Sequence, residues 1–479
     1  MKRFLFLLAF ILALSGQVWG APQVDTKGVF FVDPTASPVS KYERSGLTVY
    51  IPFQDKHDFH SGIRPRNGEG VIGYGSFTRA STATYIHPDT GYITTASSGE
   101  LRYQRRDGRI GLLLEPAAVN HVFHSAGLNE AGSWSASQTT VEANATTSPD
   151  GTVNAEAIRD TAVVGGHSLA QGIDAYLADD TIITLSMFIK FAEGGLTQFQ
   201  LQSRNRAGTY RGVKTTNLTA TTCTGAAIGG VSGWGIDDYG SGWFRLWFTH
   251  DIGSGANAVT NNLVFYSPDD NWSYAGSGQS VYAYGSMVEE NIVRTSYLPT
   301  SGTTSTRAKE EETPTYTLPN GIFDGTSAKG TALLWWNPQF DYNEMTASYY
   351  GSAIMGVRAG NAASLMRIHY NAGADDGRFA SVDADNTAPY ANVDWADNTW
   401  VKLAVKWGYL TSGQSKFQVG YDKTGGGITW GSELDFRTYN TTGTALEFIV
   451  GTATVPFMVR DFMLFDKVLT DGEINQLGY

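Results

Sequence analysis

The chain has 479 residues, of which 17% are charged and 13% are Phe, Trp or Tyr, with 55 glycines and a formal net charge of −12. That length holds two or three domains with cores of their own, and sparse charge with many aromatics and Gly belongs to β-sandwiches rather than helical proteins. The acidic balance excludes nucleic acid as a partner, because binding phosphate needs a basic face, and a lone cysteine, Cys223, excludes an intramolecular disulfide.

Residues 1–20 read as a secretory leader. Lys2 and Arg3 precede the apolar run FLFLLAFILAL (4–14), and Val18 and Gly20 are small enough for a cleavage site before Ala21. Residues 21–76 are irregular and proline-punctuated, an extended arm interrupted by one apolar strand, LTVYIPF (47–53). Residues 77–116 form a hairpin-rich connector. Pro88-Asp89-Thr90-Gly91 separates two β-rich runs, and Asp107-Gly108 is a favoured two-residue hairpin turn.

From 117 to 300, short alternating runs recur between turn residues, among them TIITLSMFIKFAE, TQFQLQ, WFRLWFT, NNLVFYS and SVYAYGSMVEE. That spacing predicts an antiparallel sandwich or jelly roll. Residues 301–318, rich in small polar residues and glutamate, read as a linker. From 319 to 479 a second strand-rich unit follows, closed by DGEINQLGY as a short helical turn. In its WVKLAVKW run, Val401, Leu403, Val405 and Trp407 take one face and Lys402 and Lys406 the other. Trp335 and Trp336 are adjacent in a strand, so one must face out or toward another subunit.

Residues 233–251, GWGIDDYGSGWFRLWFTHD, pose the main functional question. By the period of two, Phe244, Leu246 and Phe248 make a core face, and Trp243, Arg245 and Trp247 share the other. That second face is either covered by packing or stacks on sugar rings, whose apolar C–H faces lie flat on indole while Arg bonds the hydroxyls. Trp234 and Tyr239 sit among glycines and Trp272 lies in SPDDNWSYAG, all read as loop aromatics and candidates for recognition. Trp395 and Trp430 lie near turns that could border a binding surface. The candidate carbohydrate-binding residues are therefore Trp234, Tyr239, Trp243, Arg245, Trp247, Trp272, Trp395 and Trp430.

FTRASTATYIHPDTGYITTA with GLLLEPAAVN, and the closing SYLPT (296–300) with Thr306-Arg307-Ala308, resemble a module of tailed-phage and prophage structural proteins. The resemblance implies that it leads into a carbohydrate-binding-like jelly roll. The last third, with Asn398-Thr399-Trp400, KFQVGYDKTG and MVRDFMLFDKVLTDGEINQLGY, resembles a concanavalin A-like, laminin-G-type sandwich. Together these resemblances cover residues 77–479. They imply an all-β fold: an antiparallel jelly-roll β-sandwich followed by a concanavalin A-like β-sandwich, behind an extended N-terminal arm. The function implied is that of a fibre, spike or appendage protein binding cell-surface glycans. Virion proteins usually assemble in the cytoplasm, so the leader favours a secreted or cell-surface location over the virion exterior.

Catalytic constellations are scarce. Glucanases of the concanavalin type alternate acids along one strand. The nearest match here, Glu433-Leu434-Asp435, is followed by Arg437 and Thr438 where a further carboxylate would be needed. No nucleophile elbow or phosphate-binding loop occurs. The expectation is a non-catalytic protein; the rivals are a secreted glycan-degrading enzyme or its binding accessory, and a purely structural fibre subunit. His57 with His60 and His121 with His124 are spaced for opposite faces of a strand, unsuited to zinc. Calcium suits oxygen-rich loops at Asp269-Asp270-Asn271, Asp375-Asp376-Gly377 and 383–386, with Asp383 and Asp385 as candidate ligands. Weak single sites call for repetition, so a homo-oligomer and contacts with other subunits of the same particle are expected.

Overall fold

The computed structural model describes residues 47–51, 75–173, 177–267, 269–314, 316–317, 329–342, 349–359, 364–373, 376–382, 390–392, 394–411, 414–435, 444–447 and 455–477. The leader and all of the arm except the strand Leu47–Ile51 and residues 75–76 lie outside the described residues. Within them the chain is all-β and antiparallel, a jelly-roll sandwich followed by a concanavalin-like sandwich, and Asp471–Gln476 forms a helix.

The first sandwich is built from two six-stranded sheets. One runs in the order Gly233–Gly240, Trp243–Asp251, Ile182–Phe191, Ser280–Glu289, Val153–Asp160, Thr139–Thr147. The other runs Cys223–Ile228, Tyr210–Leu218, Phe199–Arg204, Thr260–Phe265, Ser168–Gly172, Ser135–Ser137. Leu185, Met187, Leu246 and Phe248 from the first sheet meet Leu201, Val213, Leu263 and Phe265 from the second in one buried cluster. Cys223 packs against that cluster, and burial pushes its thiol up to about 12, so it is an inert packing group at neutral pH.

One buried carboxyl is out of step with neutral pH. Glu156 accepts from the Leu128 amide at 3.0 Å through one oxygen, while the other has no partner among the described residues. Burial, with Glu130 adding to it, pushes the carboxyl up to about 8 against an ordinary 4.5. The folded state therefore holds a proton that the unfolded chain releases. Stability from this group is full below about pH 4.5 and is lost as pH rises toward 8. Glu156→Gln is expected to flatten that slope and to raise the unfolding midpoint at pH 8; denaturation curves at pH 5 and 8 check it.

The second sandwich has an eight-stranded sheet whose main path is Thr429–Asp435, Gln414–Asp422, Val401–Thr411, Gly330–Pro338, Phe457–Phe465, Arg109–Leu114, Tyr103–Arg106. Phe457–Phe465 shares its far edge between two partners: Val459 faces Leu112, and Phe462 faces Ile51. A six-stranded sheet, Tyr316–Thr317, Thr444–Glu447, Tyr349–Ala359, Ser364–Gly373, Asp376–Val382, Tyr390–Asn392, completes this half. The expected alternation holds, with Val401, Leu403, Val405 and Trp407 buried in one cluster. Their opposite face is not solvent. Lys402 is buried there, donating to the Ile474 carbonyl, because the terminal helix docks Ile474 and Leu477 onto it. Trp335 belongs to that small core and Trp336 to the main one, so neither adjacent indole faces out or awaits a subunit. Thr470 and Glu473 close a reciprocal capping box at the helix start.

The connector and the linker differ most from expectation. The Asp107-Gly108 hairpin forms, both residues at positive φ, yet its strands extend the sheet of the second sandwich instead of standing apart. Residues 301–318 are built in as well. Ser305–Arg307 pairs with Ala118–Asn120, and Glu311–Pro314 pairs with Gly75–Thr78. The reason is charge: Arg307 and Glu310 are buried with Arg79, Arg102 and Glu115. Glu310 binds Arg79 at 2.7 Å and Arg102 at 2.6 Å, and Glu115 binds Arg102 at 2.7 Å and Arg307 at 3.0 Å. A solvated linker could not neutralise those guanidinium groups.

Candidate functional site

The Trp-Arg-Trp face is an interior surface. The alternation of Trp243–Asp251 is as the sequence dictates, with Phe244, Leu246 and Phe248 in the sandwich core. Residues 291–297 then fold back over the other side. Arg245 donates to the Thr295 carbonyl at 2.7 Å and to Ser186 Oγ at 2.8 Å, and Trp243 donates to the Thr147 carbonyl at 3.1 Å. Trp247 lies beneath the Arg294 guanidinium, 4.5 Å from its ring centre, and Gly235 is needed because a Cβ there would meet the indole at 2.7 Å. Trp243, Arg245 and Trp247 are all buried and present nothing to a ligand in this conformation. Trp395 is also buried, edge-on to Trp336 and Phe340, which corrects its placement at a binding rim.

Tyr239 is half-buried and packs edge-on against Phe188, 4.8 Å between ring centres. It lines a small cleft with Tyr85, Gln104, Arg106 and Arg294, whose open space is about 40 Å³, room for a few waters and no sugar ring. Trp430 donates to Asp471 Oδ1 at 2.8 Å under the Lys406 ammonium, which fastens the terminal helix. Trp234 and Tyr239 are not loop residues as expected: both lie on the edge strand Gly233–Gly240, whose pairing with Trp243–Asp251 takes in the glycines, and Trp234 is 38% exposed there. Trp272 is the most open, at 60%.

The surroundings of Trp272 form a site. Its benzo edge rests on Gly166, where a Cβ would come within 2.6 Å of the ring. Register then identifies what lies beside it. Because Leu201, Leu263 and Val213 point inward, Gln200, Val264, Ser168 and Lys214 form one row on the outer face of the sheet. Gln202, Asn262, Ala170 and Gly212 form the next, and Arg204, Thr260 and Tyr210 the third. The ladder continues beyond the first row, since the Phe265 amide donates to the His167 carbonyl and the Tyr266 amide to the Gln198 carbonyl. Tyr266 and Gly166 therefore occupy the outer face at the Trp272 end.

The result is a polar floor with an aromatic at each end. Trp272 and Tyr266 stand at one end and Tyr210, 46% exposed, at the other. Six residues of strand separate them, roughly 20 Å at about 3.4 Å per residue. Gln200 and Asn262 are buried within the floor: Gln200 accepts from Tyr266 Oη at 2.7 Å, and Asn262 donates to Thr260 at 2.7 Å. The Gln202 amide has no side-chain partner among the described residues and is half-exposed. Small residues, Gly212 and Ala170, keep the floor low. The Lys214 ammonium sits 3.7 Å over the Tyr266 ring and pairs with Asp270; burial lowers its pKa and raises that of Tyr266. Such a floor bonds hydroxyls through amides and packs ring C–H faces on aromatics.

Sequence reasoning named Trp272 and missed the floor. The signal was legible in TQFQLQSR, where Gln198, Gln200, Gln202 and Arg204 alternate with Phe199, Leu201 and Ser203 and so share one face of the strand.

For metals, Asp270 is tied to Lys214, and Asn271 accepts from the Ser273 amide, so that turn satisfies itself. Asp383, Asp385 and Asp375 lie outside the described residues, as do His57 and His60. Among the described residues no three His, Cys, Asp or Glu converge as metal ligands. His121 pairs with Glu290 at 2.9 Å. Asp435 pairs with Lys416 on the edge strand Thr429–Asp435, where Glu433 is exposed.

No protein-family model and no curated protein matches the chain. Solved structures similar to it are β-sandwich, lectin-like domains. The receptor binding domain of botulinum neurotoxin type G is 12% identical, over 31% of this chain and 37% of that one, with a TM-score of 0.23. The N-terminal CBM22-1-CBM22-2 tandem domain from Paenibacillus barcinonensis Xyn10C is 11% identical, over 73% and 98%, with a TM-score of 0.23. Mouse laminin alpha1 domains LG4-5 are 8% identical, over 66% and 86%, with a TM-score of 0.14. The chain thus spans little more than a third of the first of these. Superpositions this loose say nothing about ligand or activity, and the site stands on its own geometry.

Proposed function

We propose that this protein is a non-catalytic attachment protein that binds cell-surface glycans on the outer face of the Phe199–Arg204 sheet. The single observation that carries the reading is the outer face between two exposed rings, Trp272 held open on Gly166 and Tyr210, where the half-exposed Gln202 amide and Arg204 guanidinium lie over the buried Gln200 and Asn262. Between the exposed rings this face offers the neutral Gln202 amide and no carboxylate. The phage-module resemblance supports a fibre, spike or secreted surface appendage as its setting. Affinity at one such face is modest, so repeated copies would supply avidity, and the protein is expected to act as a homo-oligomer.

The test is a panel of bacterial and host polysaccharides incubated with the purified full chain. Retention without release of oligosaccharide fits the proposal; released product would replace it with a glycan-degrading enzyme. Trp272→Ala is expected to weaken binding of any retained glycan by roughly tenfold, the scale of one lost stacking contact. Its unfolding midpoint should stay unchanged, since the side chain is mostly exposed.

A further inference from the structure

We infer that the glycan taken by this face carries a negative charge, a uronic or sialic acid carboxylate, seated at Arg204 beside Tyr210. The inference rests on the glycan-binding reading and adds the ligand's chemical class. The net charge of the chain is −12, yet none of the outer-face positions in the three rows is Asp or Glu. The charges those rows carry are two cations. Lys214 is neutralised by Asp270 at the rim. Arg204 is not neutralised: one terminal nitrogen donates to the Asn257 side-chain carbonyl at 2.8 Å, its Nε is buried without a partner, and no carboxylate among the described residues pairs with it.

A half-buried guanidinium without a counter-charge is suited to a planar, bidentate anion. Position makes the anion part of a sugar. Tyr210 lies directly across the strand pair from Arg204, close enough for one pyranose to stack on the phenol while its carboxylate meets the guanidinium. An isolated inorganic anion would gain nothing from the ring.

The test uses matched pairs on the intact protein: polygalacturonate, alginate and sialyllactose, each against its carboxyl-reduced, neutral form. At least one acidic member is expected to bind roughly tenfold more tightly than its neutral form, with a preference that shrinks as salt rises. Arg204→Gln should bring the acidic-to-neutral affinity ratio to about one, while Trp272→Ala weakens both forms and leaves the ratio intact. Thermal midpoints of both variants establish that they fold, and Arg204→Lys, which keeps the charge, should restore part of the preference. Equal binding of acidic and neutral forms by the wild type, or a preference that survives Arg204→Gln, overturns the inference while leaving the glycan-binding reading in place. A blank set of pairs, with the wider polysaccharide panel also blank, contradicts that reading and the inference with it.

Discussion

Glu310→Gln is expected to destabilise the protein by about 3–5 kcal/mol, the cost of leaving a buried charge without its partner. Glu310 accepts from Arg79, twice from Arg102 and from the Glu115 amide, and both arginine side chains are wholly inaccessible. Three arginines and two glutamates share the site, so removing one carboxylate leaves three cations facing one anion. The effect should be global, because the site joins residues before the first sandwich to residues between the two. The exposed pair Arg159–Glu142 is the control, and Glu142→Gln should cost under about 1 kcal/mol. Urea denaturation at pH 7 measures both; equal, small effects would show that the buried network contributes nothing to stability. The network also predicts an acid limit. Burial opposes the Glu115 charge, but Arg307 and Arg102 outweigh it and hold the carboxyl down at about 2. Its stabilisation is complete above about pH 4.5 and is lost as pH falls toward 2.

Arg294→Ala is the second variant expected to have a large effect. Arg294 lies just past the first sandwich and binds Asp237 within it at 2.9 Å. It also binds Asp397 and the Gln339 carbonyl of the second sandwich, the latter at 3.2 Å, while covering Trp247. Burial already pushes the Asp397 carboxyl up, with Arg294 opposing. Without the guanidinium, two carboxylates face each other with no common cation, again at a cost of about 3–5 kcal/mol. The loss should fall on the contact between sandwiches. Small-angle scattering is expected to show a larger radius of gyration, and proteolysis a new cut between the halves. Arg294→Lys should not rescue it, since one ammonium cannot span both acids and the carbonyl. An unchanged radius and midpoint would mean that other contacts hold the halves together.

These arrangements explain what was legible in the sequence. The two sandwiches, the hairpin turns and the alternation of WFRLWFT and WVKLAVKW follow from local periodicity, which a single strand displays by itself. What covers each strand does not. Trp247 and Trp335 were ambiguous because their lids, Arg294 and the terminal helix, are supplied by distant segments. Residues 301–318 have the composition of a solvated linker, and only the arrival of Arg79, 231 positions away from Glu310, turns them into a keystone. Trp272 was legible because an indole among Asp, Asn, Ser and Gly has little local hydrophobic surface to bury it. The floor beside it was written in TQFQLQSR as a strand, but its extent needed three further strands brought into register.

The central claim is best tested by amide hydrogen exchange on the intact protein, with and without a saturating glycan from the panel. The account predicts new protection in Phe199–Arg204, Thr260–Phe265 and the turn around Trp272, with the second sandwich unchanged. Protection confined to the loops of the second sandwich, or to the edge strand bearing Trp234, would contradict it.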